Sequence, residues 1–78
     1  MLNKHIMENN IAFWAQKRGL KYSFLSKELG VSLQTFSRWA NNKTQPNIIE
    51  SYKLSRLLNV SMEQLIKEED QKNHDLKI

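Results

Sequence analysis

The 78-residue sequence contains no cysteine, two glycines, one proline and two histidines. Without cysteine there is no disulfide framework and no thiolate metal site, and a reducing compartment is the expected setting. So few glycines and prolines cannot punctuate a series of tight hairpins, and alternating β-branched runs are missing, which argues against an all-β fold. No apolar run approaches the roughly 18 residues needed to span a membrane. Met1 to Asn10 alternates short apolar and polar blocks, with neither the basic start nor the apolar stretch of a signal peptide. A cytoplasmic protein without membrane association is expected. Catalysis is disfavoured as well. Two isolated glycines cannot form a phosphate-cradling loop, and no nucleophile has a base nearby in sequence. His5 and His74 lie in the terminal segments, away from any acidic pair with metal-ligand spacing. No catalytic residue, metal site or cofactor is expected.

What is present describes one small domain. Hydrophobic residues make up 40% of the chain, enough for a core, although folding at this size buries only about 60–65% of the unfolded surface. Stability is expected to be modest, and a dimer would raise it. The net charge of +4 is unevenly placed. Residues 1–60 carry nine basic and three acidic side chains, whereas residues 61–78 carry three basic and five acidic ones. A basic body with an acidic end suits a polyanionic partner for the body.

Helical spacing runs through the chain. Ile11, Trp14 and Ala15 fall at i, i+3 and i+4 ahead of Gly19, a residue suited to the left-handed conformation that ends a helix. Leu25 and Leu29 repeat the spacing ahead of Gly30, so residues 22–29 read as a short second helix. Ser32 is a good N-cap for a third, with Phe36, Trp39 and Ala40 on its inner side. Residues 41–46 form a loop. Asn47 and Glu50 then have the form of a capping box opening a fourth helix, with Ile48, Leu54, Leu57 and Leu58 inward. Ser61 and Gln64 repeat that form, predicting a fifth helix to about Glu68. The chain therefore divides into residues 1–9, an N-terminal arm or helical extension; residues 10–68, a compact all-α domain of five helices; and residues 69–78, a polar mobile tail.

The stretch from Ser23 to Trp39, with Ser26, Gly30, Val31 and Phe36 at its junction, resembles the helix-turn-helix of the phage repressor and Cro group of DNA-binding proteins. Ile11 to Leu20 is similar to that family's first helix, Lys43 to Pro46 to its basic loop, and Leu54, Leu58, Val60, Ser61 and Leu65 to its closing helices. The physics of the motif is legible apart from the resemblance. Two helices crossing steeply need a small residue at the crossing, here Ser26, and one tolerating positive φ in the turn, here Gly30. Two departures stand out. Lys21 and Tyr22 occupy the place of a Ser-Gln pair that caps the family's second helix, and Ala15 and Ala40 replace an Arg–Glu ion pair between its first and third helices. Losing both partners of such a pair together is compatible with the fold.

With Phe36 and Trp39 inward, Leu33, Gln34, Ser37, Arg38 and Asn41 lie on the outer side of the third helix, and Gln34 and Thr35 mark its leading end. Gln can bond adenine bidentately and Arg can do so with guanine. The resemblance implies base contacts from Leu33, Gln34, Thr35, Ser37 and Arg38. It implies phosphate contacts from Lys21, Tyr22, Ser32, Asn41, Lys43, Thr44 and Gln45. The family's two-fold contact corresponds here to Asn59 to Ile66, with Asn59, Met62, Glu63 and Ile66 as dimer candidates. The expected function is a transcriptional regulator, a repressor or Cro-like switch, binding a two-fold double-stranded DNA operator as a homodimer. A protein antagonist is a further candidate partner. The alternative is an antitoxin or antirepressor-type module of the same fold that presents Phe13, Phe24 or the fifth helix to a protein.

Overall fold

The structure, a computed structural model, describes residues 7–68. In chain order these form β1 (Met7–Asn9), α1 (Ile11–Arg18), α2 (Tyr22–Leu29), α3 (Leu33–Ala40), α4 (Ile48–Leu58), a single 3-10 turn (Glu63–Leu65) and β2 (Ile66–Glu68). The helix limits follow from local chemistry. Gly19 and Gly30 stop α1 and α2 in the left-handed region, at φ 70° and 72°. Ser32 caps α3. Asn47 and Glu50 form the complete reciprocal box at the start of α4, with the Asn47 amide donating to Glu50 Oε1 at 2.9 Å and the Glu50 amide to Asn47 Oδ1 at 2.7 Å.

Every element from α1 to the 3-10 turn contributes to one core. Ile11 and Ala15 come from α1, Leu25 from α2, Phe36, Trp39 and Ala40 from α3, Leu54 and Leu58 from α4, and Leu65 from the turn. Ala15 and Ala40 are both buried, so the substituted ion pair leaves two small apolar side chains inside and no stranded charge. Arg18 ties α1 to the end of α4. Its Nε donates to the Leu58 carbonyl at 2.7 Å and its Nη2 to the Asn59 carbonyl at 3.2 Å, placing a cation at the negative end of the helix dipole.

Two expectations are corrected. The predicted fifth helix is absent: among the described residues there are four α-helices, and the chain after Ser61 makes one 3-10 turn and then a strand. The Ser61–Gln64 box does form, with bonds of 2.8 and 3.0 Å, but the carbonyls that would propagate a helix are already taken. The Gln64 carbonyl accepts from Trp14 Nε1 at 2.9 Å and the Leu65 carbonyl from the Asn10 amide at 2.8 Å. Residues 66–68 instead pair antiparallel with residues 7–9, in the register Met7↔Glu68, Glu8↔Lys67 and Asn9↔Ile66. Met7–Asn9 of the arm is accordingly extended, not helical; residues 1–6 and the tail 69–78, with His5 and His74, lie outside the described residues. The second correction is Ile48, expected inward but 72% exposed. Its turn projects past the core, and full burial on α4 starts only at Leu54.

Candidate functional site

Helices α2 and α3 pack directly on one another across the turn that joins them. Ser26 is buried at the crossing, and its hydroxyl donates to the Ser23 carbonyl at 3.1 Å, so the small side chain leaves no unsatisfied donor. The turn closes through Gly30 and the bond from the Val31 amide to the Ser26 carbonyl, 3.0 Å. Tyr22 lays its ring against Phe36, centroids 5.2 Å apart, which sets the N-terminus of α2 against α3. Lys21, at the N-cap of α2, is exposed and makes no side-chain capping bond.

Helix α3 is strongly two-sided. Phe36, Trp39 and Ala40 are buried, while Leu33, Gln34 and Arg38 are exposed and Ser37 is half-buried. Leu33 leaves 52% of its surface in solvent at the leading end of the helix. An apolar residue there has no core to join. Thr35 is half-buried and tied to the cap: its amide donates to Ser32 Oγ at 3.0 Å, and the Ser32 hydroxyl donates to Thr35 Oγ1 at 3.0 Å. At the trailing end Asn41 reaches back to Ser37 Oγ at 3.4 Å. The Lys43 and Thr44 amides fold over the helix end onto the Arg38 carbonyl, at 2.9 and 3.4 Å, leaving both side chains exposed. Gln34, Ser37, Arg38, Lys43 and Thr44 thus project from one helix and the loop folded over its end. The remaining loop candidate differs: both ends of the Gln45 amide are engaged within the protein, accepting from Asn9 Nδ2 at 2.6 Å and donating to Asn42 Oδ1 at 3.0 Å.

The dimer candidates occupy a different part of the molecule. Met62 and Ile66, four residues apart, would share a face only in the predicted fifth helix; the chain there is instead a 3-10 turn followed by a strand. They nevertheless line one groove of about 410 Å³, shared with Met7, Ile11, Pro46 and Ile48, between the β-ribbon and the first turn of α4. Ile66 is 50% exposed and Met62 half-buried. Glu63 is exposed, and Asn59 ends α4 in the left-handed region at φ 59°. Phe13 and Phe24 are 55% and 44% exposed, on the outer sides of α1 and α2.

Sequence reasoning missed Asn9 and Asn42, which join the strand β1 to the loop after α3. The Asn9 amide donates to Asn42 Oδ1 at 2.8 Å, and Asn42 holds φ 59°. One signal existed: an Asn–Asn pair just past a helix end, where Asn tolerates positive φ; the first ten residues run in apolar and polar blocks of two and three, with no strand period to announce β1. Among the described residues no three His, Asp or Glu side chains lie close enough to hold a metal ion, and no helix is long and apolar enough to cross a membrane.

Against this geometry, the family model described as helix-turn-helix matches residues 11–65, from the start of α1 to the end of the 3-10 turn. The sequence matches none of the curated proteins. Among solved structures, the chain is similar to a protein from Bacteroides fragilis described as DNA-binding, at 35% identity and a TM-score of 0.77, over 80% of this chain and 100% of that one.

Proposed function

Because the chain belongs to the XRE-type helix-turn-helix family, we propose that it is a sequence-specific DNA-binding transcriptional regulator, a repressor or Cro-like switch that reads a two-fold operator as a homodimer. The observation that carries this reading is the two-sidedness of α3. A helix sealed on one side by Phe36 and Trp39 holds Leu33, Gln34, Ser37 and Arg38 outward without internal partners among the buried groups. Such a helix fits the major groove, about 12 Å wide, where Gln and Arg can read adenine and guanine edges and Leu33 can meet a thymine methyl. Lys21 and Lys43, at the start of α2 and in the loop folded over the end of α3, would meet phosphates and set the register.

A dimer follows from information content. One recognition helix reads only a few base pairs, and two half-sites multiply the discrimination. We place the two-fold contact at the groove lined by Met62 and Ile66. At this size the contact is small, so the dimer forms fully on DNA. The test is an anisotropy titration with inverted repeats taken from DNA flanking the gene, against scrambled duplex. Tight, sequence-dependent binding that weakens with salt is the expected result; a flat salt response sinks the reading.

Exposed Phe13 and Phe24 favour a second reading, in which the same body docks a protein in the manner of an antitoxin or antirepressor. A stable protein complex insensitive to loss of both Gln34 and Arg38 would establish it.

A further inference from the structure

The β-ribbon and the loop after α3 are joined by side chains that neither the core nor the helix-turn-helix crossing requires. The Asn9 amide donates to Asn42 Oδ1 at 2.8 Å, and Asn42 Nδ2 donates back to the Asn9 carbonyl at 3.3 Å. The side-chain amide of Asn42 therefore pairs with the Asn9 residue much as a neighbouring strand would. From the other direction, Asn9 Nδ2 donates to the Trp39 carbonyl at 2.7 Å and to Gln45 Oε1 at 2.6 Å. Gln45 Nε2 closes the ring on Asn42 Oδ1 at 3.0 Å. Three side chains thus encircle the end of α3, and between Asn42 and Gln45 stand Lys43 and Thr44.

We propose that Asn9 and Asn42 are positioning residues for DNA binding, holding Lys43 and Thr44 in the pose in which they meet the phosphate backbone. The proposal rests on the DNA-binding reading and adds to it a role for the N-terminal strand. The loop has few other means of support. Lys43, Thr44 and Gln45 are exposed, and the Lys43 and Thr44 amides share the single Arg38 carbonyl. Asn42 holds φ 59° at the cap of α3, where its amide donates to the Trp39 carbonyl at 3.0 Å; that cap sets the backbone at Asn42, and the side-chain ring braces the loop beyond it. Without the ring Lys43 is no longer held at the phosphate backbone, so one cationic contact per subunit is lost, and recovering it by fixing even one backbone residue on binding would lower affinity by about tenfold.

Asn42→Gly isolates this role, because glycine keeps the left-handed turn while removing every side-chain bond to Asn9 and Gln45. Binding to a random-sequence duplex is measured across a salt series, since non-specific affinity is almost wholly phosphate contact. The variant is expected to bind about tenfold more weakly, with a salt slope shallower by about one per subunit. The Lys43 and Thr44 amides should exchange faster with solvent, while those of Leu54 and Leu58 keep wild-type protection. Asn9→Ala, which cuts the bonds to Trp39 and Gln45, should repeat the slope change; it also removes the Asn9 Oδ1 that accepts from the Ile11 amide at 2.9 Å, so its stability falls too. An Asn42→Gly protein with the wild-type salt slope and unchanged exchange at Lys43 and Thr44 overturns the proposal alone. A wild-type protein that binds no DNA overturns the DNA-binding reading and this role together.

Discussion

The indole N–H of Trp14 donates to the backbone carbonyl of Gln64 at 2.9 Å, across fifty residues of chain. This bond takes the carbonyl that a helix over residues 61–68 would use for its own ladder, and it fastens the closing turn to α1. Arg18 covers the indole face at 4.9 Å while Phe13 meets the ring edge-on. Trp14→Phe keeps an aromatic ring but loses the bond and part of the indole's packing, so a loss of at least about 1 kcal/mol is expected in urea unfolding. An unchanged midpoint would show that water replaces the indole without penalty.

Gln34→Ala and Arg38→Ala should each weaken operator binding by about 1–3 kcal/mol and leave thermal unfolding unchanged, because both side chains are exposed. The comparison that matters is operator against scrambled duplex. Equal losses on the two would assign these residues to phosphate and not to bases.

If Lys21 and Lys43 each neutralise one phosphate per subunit, the dimer on its operator should show a salt slope near about −4, to which hydrogen bonds from the neutral Tyr22 and Thr44 add almost nothing. Lys43→Ala should flatten that slope by about two for the pair of subunits. Tyr22 is the discriminating member, since its ring packs on Phe36: Tyr22→Phe should flatten the slope very little but reduce affinity if the hydroxyl bonds a phosphate oxygen.

The groove lined by Met62 and Ile66 predicts a different phenotype. Met62→Asp combined with Ile66→Asp should leave circular dichroism unchanged while abolishing cooperative binding to a full palindrome, as read by sedimentation and gel shift. Retained cooperativity in a folded double mutant would move the two-fold contact elsewhere, with exposed Phe13 and Phe24 as the next surfaces to test.

Gly30→Ala probes the turn. A Cβ at this position would meet nothing within 4 Å, so the penalty is purely that of φ 72°. About 1 kcal/mol of stability should be lost, and Gly30→Asn should lose less, because Asn tolerates the left-handed region. Equal losses would point to a different origin for the penalty.

Much of this architecture was legible in the linear sequence because it is governed locally. Residues 22–29 form α2 as expected, Ser32 and Asn47 cap the helices they were expected to cap, and Gly19 and Gly30 end theirs. Each depends on groups within four residues of one another, so composition and spacing are enough. The outward set on α3 was legible for the same reason, once Phe36 and Trp39 were recognised as its inner side. What tertiary structure decided is the fate of groups whose local partners were outcompeted from far away. Ser61 and Gln64 carry a genuine helix-start signal, but Trp14 and Asn10 claim the carbonyls beyond it, and residues 7–9 offer residues 66–68 a ladder instead. Ile48 has the spacing of a core residue, and only the placement of α4 leaves its first turn beyond the core. A single 3-10 turn and a three-residue strand pair hold too few local bonds to declare themselves; they exist because the folded α1 and the end of α3 complete them.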